Sequence, residues 1–150
     1  MVILWFVPFF GHKDTPQNIL PVLRTVIIDL IQNKNVDLFY VGNNGNFDFM
    51  VKNTLKILKS RYPHIKYTIV LAYMPNPKNN SADLDYCDTI YPEELENTPR
   101  KYAIVKRNQW MIKQSDYVIT YVKYATGGAV KFKELAEKQK KIVLNLGALI

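Results

Sequence analysis

Short apolar runs rich in β-branched and aromatic residues alternate with stretches of helical spacing along this chain. That alternation restricts its fold more than any other feature. The runs are Val2 to Phe9, Val36 to Val41, Tyr67 to Tyr73, Tyr117 to Val122 and Ile142 to Leu146. Between the first two, Ile19, Val22, Leu23, Val26, Ile27, Leu30 and Ile31 recur at helical intervals. Thr15 reads as the N-cap of that helix, Pro16 as its first residue, and Asn33-Lys34-Asn35 as its end. Phe47, Met50, Val51, Thr54, Leu55 and Leu58 mark a second helix that stops near Tyr62-Pro63. Pro99 opens a third over Arg100 to Gln114. Gly127-Gly128 opens a fourth, running to about Lys140, where Lys138, Lys140 and Lys141 suit the negative end of a helix dipole. Strands that read as continuous apolar runs are covered on both faces. The order βαβαβαβαβ therefore predicts a three-layer α/β sandwich around a mainly parallel five-stranded sheet. The segment from Met74 to about Thr98 contains Pro75, Pro77, Asn79, Asn80 and Pro92 and fits neither pattern. It reads as a long loop able to close over a site.

With 150 residues the chain suits one domain spanning 1–150, and its apolar fraction of 48% argues against disorder. The apolar start, Val2 to Phe10, lacks a basic leader and a cleavage site, is broken by Pro8 and is far too short to span a membrane. No membrane association is expected. Cys87 is the only cysteine, so no intrachain disulfide can form, and a cytoplasmic location follows most simply. His12 and His64 are not spaced as metal ligands, so no metal is expected. The net charge of +7 favours anionic partners, but the basic residues are scattered and show no cluster with interleaved aromatics. Nucleic acid is therefore not expected as a partner.

Ligands of doubly wound sheets bind beyond the carboxyl ends of the strands, and this chain places unusual residues there. Gly11-His12 follows the first run, Gly42-Asn43-Asn44-Gly45 the second, Tyr73 ends the third, and Gly127-Gly128-Ala129 follows the fourth. Glycine and asparagine tolerate positive φ, so both glycine loops can turn sharply and aim backbone N–H groups at an anion. Either loop is equally well explained as a tight βα turn. Asp48 either caps the second helix or bonds a ribose hydroxyl. Ala103, Ile104, Arg107 and Met111 share one apolar helix face, so Arg107 needs an acidic partner or an anionic ligand. Asn108 sits beside it. His12 serves as a phosphate contact or is simply hydrogen-bonded, and Tyr73 either stacks on a base or packs.

Taken together, these motifs, with Phe10 to Thr15, Tyr40 to Asp48, Ala72 to Pro75, Arg107 to Met111, Ser115-Asp116 and Gly127 to Ala129, resemble the SLOG superfamily. In particular they resemble its small stand-alone members from Firmicutes and their phages. The resemblance implies a Rossmann-like fold, a nucleotide or nucleotide-derived ligand and self-association into homo-oligomers; no cofactor is expected. Relatives include antiviral ligand sensors, some responding to NAD-derived cyclic nucleotides, and the Lonely-Guy phosphoribohydrolases. The enzyme motif Pro-Gly-Gly-x-Gly-Thr-x-x-Glu aligns its first two glycines with Gly127 and Gly128 and its glutamate with Glu134. Thr126, Val130 and Lys131 replace its proline, third glycine and threonine.

The leading expectation is thus a non-catalytic binder of a nucleotide-like small molecule, such as an immune sensor or a phage sponge. Arg107, Lys131 and loop N–H groups would hold phosphate, Asn43, Asn44 and Asp48 ribose, and Tyr73 the base. One alternative is an N-glycosidic-bond hydrolase using Glu134. The other is a basic nucleic-acid-binding protein.

Overall fold

The computed structural model describes residues 6–74, 88–123 and 127–149. In chain order the strands are β1 (Phe6–Gly11), β2 (Leu38–Val41), β3 (Lys66–Val70), β4 (Asp88–Ile90), β5 (Tyr117–Tyr121) and β6 (Ile142–Asn145). The helices are α1 (Leu20–Asn33), α2 (Asn46–Arg61), α3 (Ala103–Lys113) and α4 (Gly128–Lys138). The strands form one sheet in the order β4-β3-β2-β1-β5-β6, and every pairing is parallel.

Pro8 sits in a central strand, where a missing N–H would normally break the ladder. Here β1 pairs with β2 over Phe6–Pro8 and with β5 over Phe9–Gly11. The missing donor falls at that changeover, so the sheet tolerates it.

From β1 the chain adds β2, β3 and β4 to one side, then returns to lay β5 and β6 on the other. Parallel crossovers keep one hand, so reversing direction moves the helices to the opposite face. Accordingly α1 packs with α2, and α3 packs with α4. Leu23, Ile27 and Leu30 of α1 and Met50, Val51, Leu55 and Leu58 of α2 bury against Val7, Phe9, Phe39 and Val41. On the other face Met111, Ile112, Phe132 and Ala136 meet Phe10, Tyr40, Val70 and Val118. Truncating one of these side chains, as in Leu55→Ala, removes about 2–5 kcal/mol. The strand order reverses between β1 and β5, and a crevice opens at such a point beyond the strands' carboxyl ends.

The sheet has six strands, not the five expected. The extra strand, β4, lies inside the segment read as irregular. It is only three residues long and pairs with β3 alone at the sheet edge, which is too short to carry a period. β3 stops at Val70, short of Tyr73. Thr15 does not cap α1: its hydroxyl donates to the His12 carbonyl (2.5 Å), a 3-10 turn spans Gln17–Ile19, and α1 begins at Leu20. Residues 2–5 of the first expected strand, residues 75–87 of the expected loop, Cys87 among them, and Thr126 lie outside the described residues. No helix among the described residues is long and apolar enough to cross a membrane.

Candidate functional site

At the end of β1, Gly11 lies against the Phe47 ring so closely that a Cβ would collide with it. This contact seats the first turn of α2 on β1. His12 is buried, its Nε2 accepting from the Lys123 N–H (3.0 Å) and its ring edge-on to Tyr121. It ties the ends of β1 and β5 together. The Lys13 carbonyl accepts the Asn46 N–H (3.0 Å), and the Lys13 side chain stays exposed.

Two helices start at this edge with the same backbone device. Gly45 precedes α2 at φ 136°, ψ 175°, and Gly127 precedes α4 at φ 117°, ψ 171°. That region belongs almost wholly to glycine. Neither helix has a side-chain cap. In α2 the Asp48 carboxylate instead accepts the Asn44 N–H (2.9 Å), placing negative charge at the positive helix end.

Arg107 reaches this edge from α3 and is only 3% exposed. Its Nε donates to Asn108 Oδ1 (2.9 Å). Its Nη1 donates to Asn44 Oδ1 (2.6 Å) and, at 3.4 Å each, to Asn43 Oδ1 and the Val70 carbonyl. No hydrogen bond from its Nη2 occurs among the described residues, and Arg107 lines the cleft described below. Burial lowers the Arg107 pKa, the nearby Asp48 carboxylate opposes that, and the group stays cationic at any ordinary pH. Burial raises the Asp48 pKa, against the opposing pull of Arg107 and the Asn44 N–H.

These elements enclose a cleft of about 280 Å³. Of the residues singled out in the sequence, Gly11, His12, Asn44, Asp48, Arg107, Asn108, Gly127, Gly128 and Ala129 line it. Gly42 is buried behind Asp48 and Arg107: a Cβ there would lie 2.7 Å from Asp48 Oδ2 and 3.1 Å from both terminal guanidinium nitrogens. Asn43 is exposed, is not in the lining, and accepts from Arg107. Gly45 lies against Lys13. Tyr73 is not part of the lining: Arg100 stacks over its ring at 4.5 Å, and its hydroxyl donates to the Arg100 carbonyl (3.4 Å). Lys131 and Glu134 are exposed on α4 and also lie outside the lining.

The cleft adds Lys13, Asp14, Ile104, Phe9, Phe10 and Phe132, which sequence reasoning missed. Lys13-Asp14 directly follows Gly11-His12 and was open to notice. The three phenylalanines read as ordinary core. No group of three or more metal-ligating side chains occurs among the described residues.

No protein-family model matches the sequence, and no curated protein matches it. Solved structures do share the fold. One is DNA processing protein A (DprA) from Streptococcus pneumoniae, at a TM-score of 0.70 and 18% identity, covering 95% of this chain and 50% of that protein. Another is DNA processing protein A from Helicobacter pylori, at 0.68 and 18% identity, covering 95% and 65%, described for its single-stranded DNA binding mode. The chain thus spans half to about two thirds of these neighbours. At such identity the likeness shows the fold, and the Rossmann-like architecture implied by the motifs is present. The expectation that nucleic acid is not a partner is overturned, because a neighbour of the same fold binds single-stranded DNA. The linear spread of basic residues does not say where they lie on a folded surface, so it was no argument against such a partner.

Proposed function

We propose that this chain binds single-stranded nucleic acid and holds a backbone phosphate in the cleft at the carboxyl ends of β1 and β2. The observation that carries this reading is Arg107: a buried cation whose Nε and Nη1 are fixed by protein acceptors and whose Nη2 has none among the described residues. A phosphate oxygen would accept from that nitrogen as a charge-assisted hydrogen bond. The first-turn N–H groups of α4 and the exposed Lys13 add to the attraction. The net charge of +7 and the fold shared with a single-stranded DNA-binding protein support the same reading.

Fluorescence anisotropy with a labelled oligothymidylate at low salt tests it. Binding is expected to weaken as salt rises, because phosphate contacts release counterions. Arg107→Lys keeps the charge but loses the fork, and is expected to weaken binding about ten-fold with the fold intact. Full binding by this variant, or none by the parent protein, sinks the proposal.

The size of the cleft favours one second reading, a free nucleotide or nucleotide-derived ligand, since about 280 Å³ suits a single nucleotide unit. Thermal-shift measurements with nucleoside monophosphates, ADP-ribose and cyclic dinucleotides separate the two. A response to these without oligonucleotide binding selects the small ligand. Glu134 stands outside the cleft lining, so the geometry gives the hydrolase alternative no support from that carboxylate.

A further inference from the structure

We infer that the outer face of α2 continues the cleft as a track for a nucleic-acid strand, with Phe49 as a base-stacking platform and Lys52, Lys56 and Lys59 as phosphate contacts. The inference rests on the cleft reading above and extends it to a surface outside the cleft. Phe49, Lys52, Lys56 and Lys59 follow one another at intervals of three, four and three, so they share one helix face. Phe49 is 53% exposed. Asp48, the preceding residue, lines the cleft, so the stripe begins in the same first turn of α2 that borders it.

α2 carries Lys52, Lys56, Lys59 and Arg61 against a single acid, Asp48, which accepts the Asn44 N–H and faces Arg107. Aromatic and cationic groups also alternate here. Lys52 Nζ lies 5.7 Å from the Phe49 ring, and Lys59 Nζ lies 6.0 Å from the Tyr67 ring. A base stacked on Phe49 would have a cation beside it. From Phe49 to Lys59 the stripe runs about 15 Å at the helical rise, enough for a few nucleotides. Bases laid on an aromatic ring must have a free face, so the strand that fits is single.

The experiment compares oligothymidylates of about two and about twenty nucleotides, the short one seating its phosphate in the cleft without reaching Lys56 and the long one running along α2. The parent protein is expected to bind the long strand more tightly than its extra register positions alone explain. Lys56→Glu with Lys59→Glu should leave the short strand unaffected and lower the long strand's salt slope by about 1.4, from two contacts at about 0.7 each. Phe49→Ala should weaken the long strand about ten-fold and leave inorganic polyphosphate, which has no bases, unchanged. The control pair Lys138→Glu with Lys140→Glu makes the same charge change at the far end of α4. Equal losses in the control pair overturn the track, as does a long strand indifferent to the α2 variants. If the parent protein binds neither length, the cleft reading falls as well; short-strand binding with no gain from length overturns the track alone.

Discussion

Asp48 accepts the Asn44 N–H and stands near Arg107, yet burial holds its pKa above the ordinary 3.8. Below pH 3.8 the carboxyl is protonated in folded and unfolded chains alike. As pH rises past that value the unfolded chain ionises first, so stability falls until the folded carboxyl has also ionised, and then levels off. Asp48→Asn cannot ionise. Its stability relative to the parent should therefore climb through that window and stay level above it, as read from urea unfolding at a series of pH values. A difference that does not change with pH would remove Asp48 as the source. Arg107 shows how far a residue can be read from sequence. Its place on an apolar helix face announced a buried cation in need of partners. Its partners proved to be Asn43 and Asn44, 64 and 63 positions earlier in the chain, together with Val70 and Asn108. Such distances carry no periodic signal. Gly11 is a similar case: a plain turn glycine in the sequence is, in the fold, the surface on which the Phe47 ring rests.

At the scale of elements, β2–α2 and β5–α4 are the same unit used twice. In each, a strand ends at the cleft and a glycine in a conformation other residues avoid starts the helix. Among the described residues nothing lies within 4 Å of a Cβ at Gly127, so Gly127→Ala registers backbone strain there. A loss of about 1–3 kcal/mol is expected in thermal unfolding, along with weaker oligonucleotide binding as the first turn of α4 is displaced. An unchanged melting temperature would mean that the loop relaxes freely and that the glycine is not required. All four helices were legible because each carries a buried stripe over at least eleven residues. β4 was not legible, being three residues at an edge. The start of α1 was misread because Thr15 bonds back to His12 rather than forward into the helix.

At the scale of the whole molecule, a ligand that binds only the folded chain must stabilise it. A saturating oligonucleotide, about 100-fold above its dissociation constant, is expected to add about 2.7 kcal/mol and raise the melting temperature. Arg107→Lys should shrink that shift. An equal shift in both proteins would place the strand away from Arg107. The basic residues illustrate what folding does to a charge pattern. In the sequence Lys52, Lys56 and Lys59 are spaced lysines among apolar neighbours, and no cluster is apparent. The 3.6-residue turn of α2 buries Phe47, Met50, Val51, Leu55 and Leu58 and puts the lysines on one face with the exposed Phe49.

The sequence by itself determined the alternation of strands and helices, the parallel sheet it implies, and the end of the sheet where glycine, asparagine and arginine would gather. Those features follow from short-range periods and from backbone preferences that each residue carries with it. Only the tertiary structure decided that β4 joins the edge, that Tyr73, Lys131 and Glu134 stand outside the cleft, and that Lys13 and Asp14 stand inside it. It also decided that Arg107 keeps one prong free of acceptors among the described residues. These outcomes depend on which distant segments meet, and that is settled by packing across the sheet rather than by any local preference.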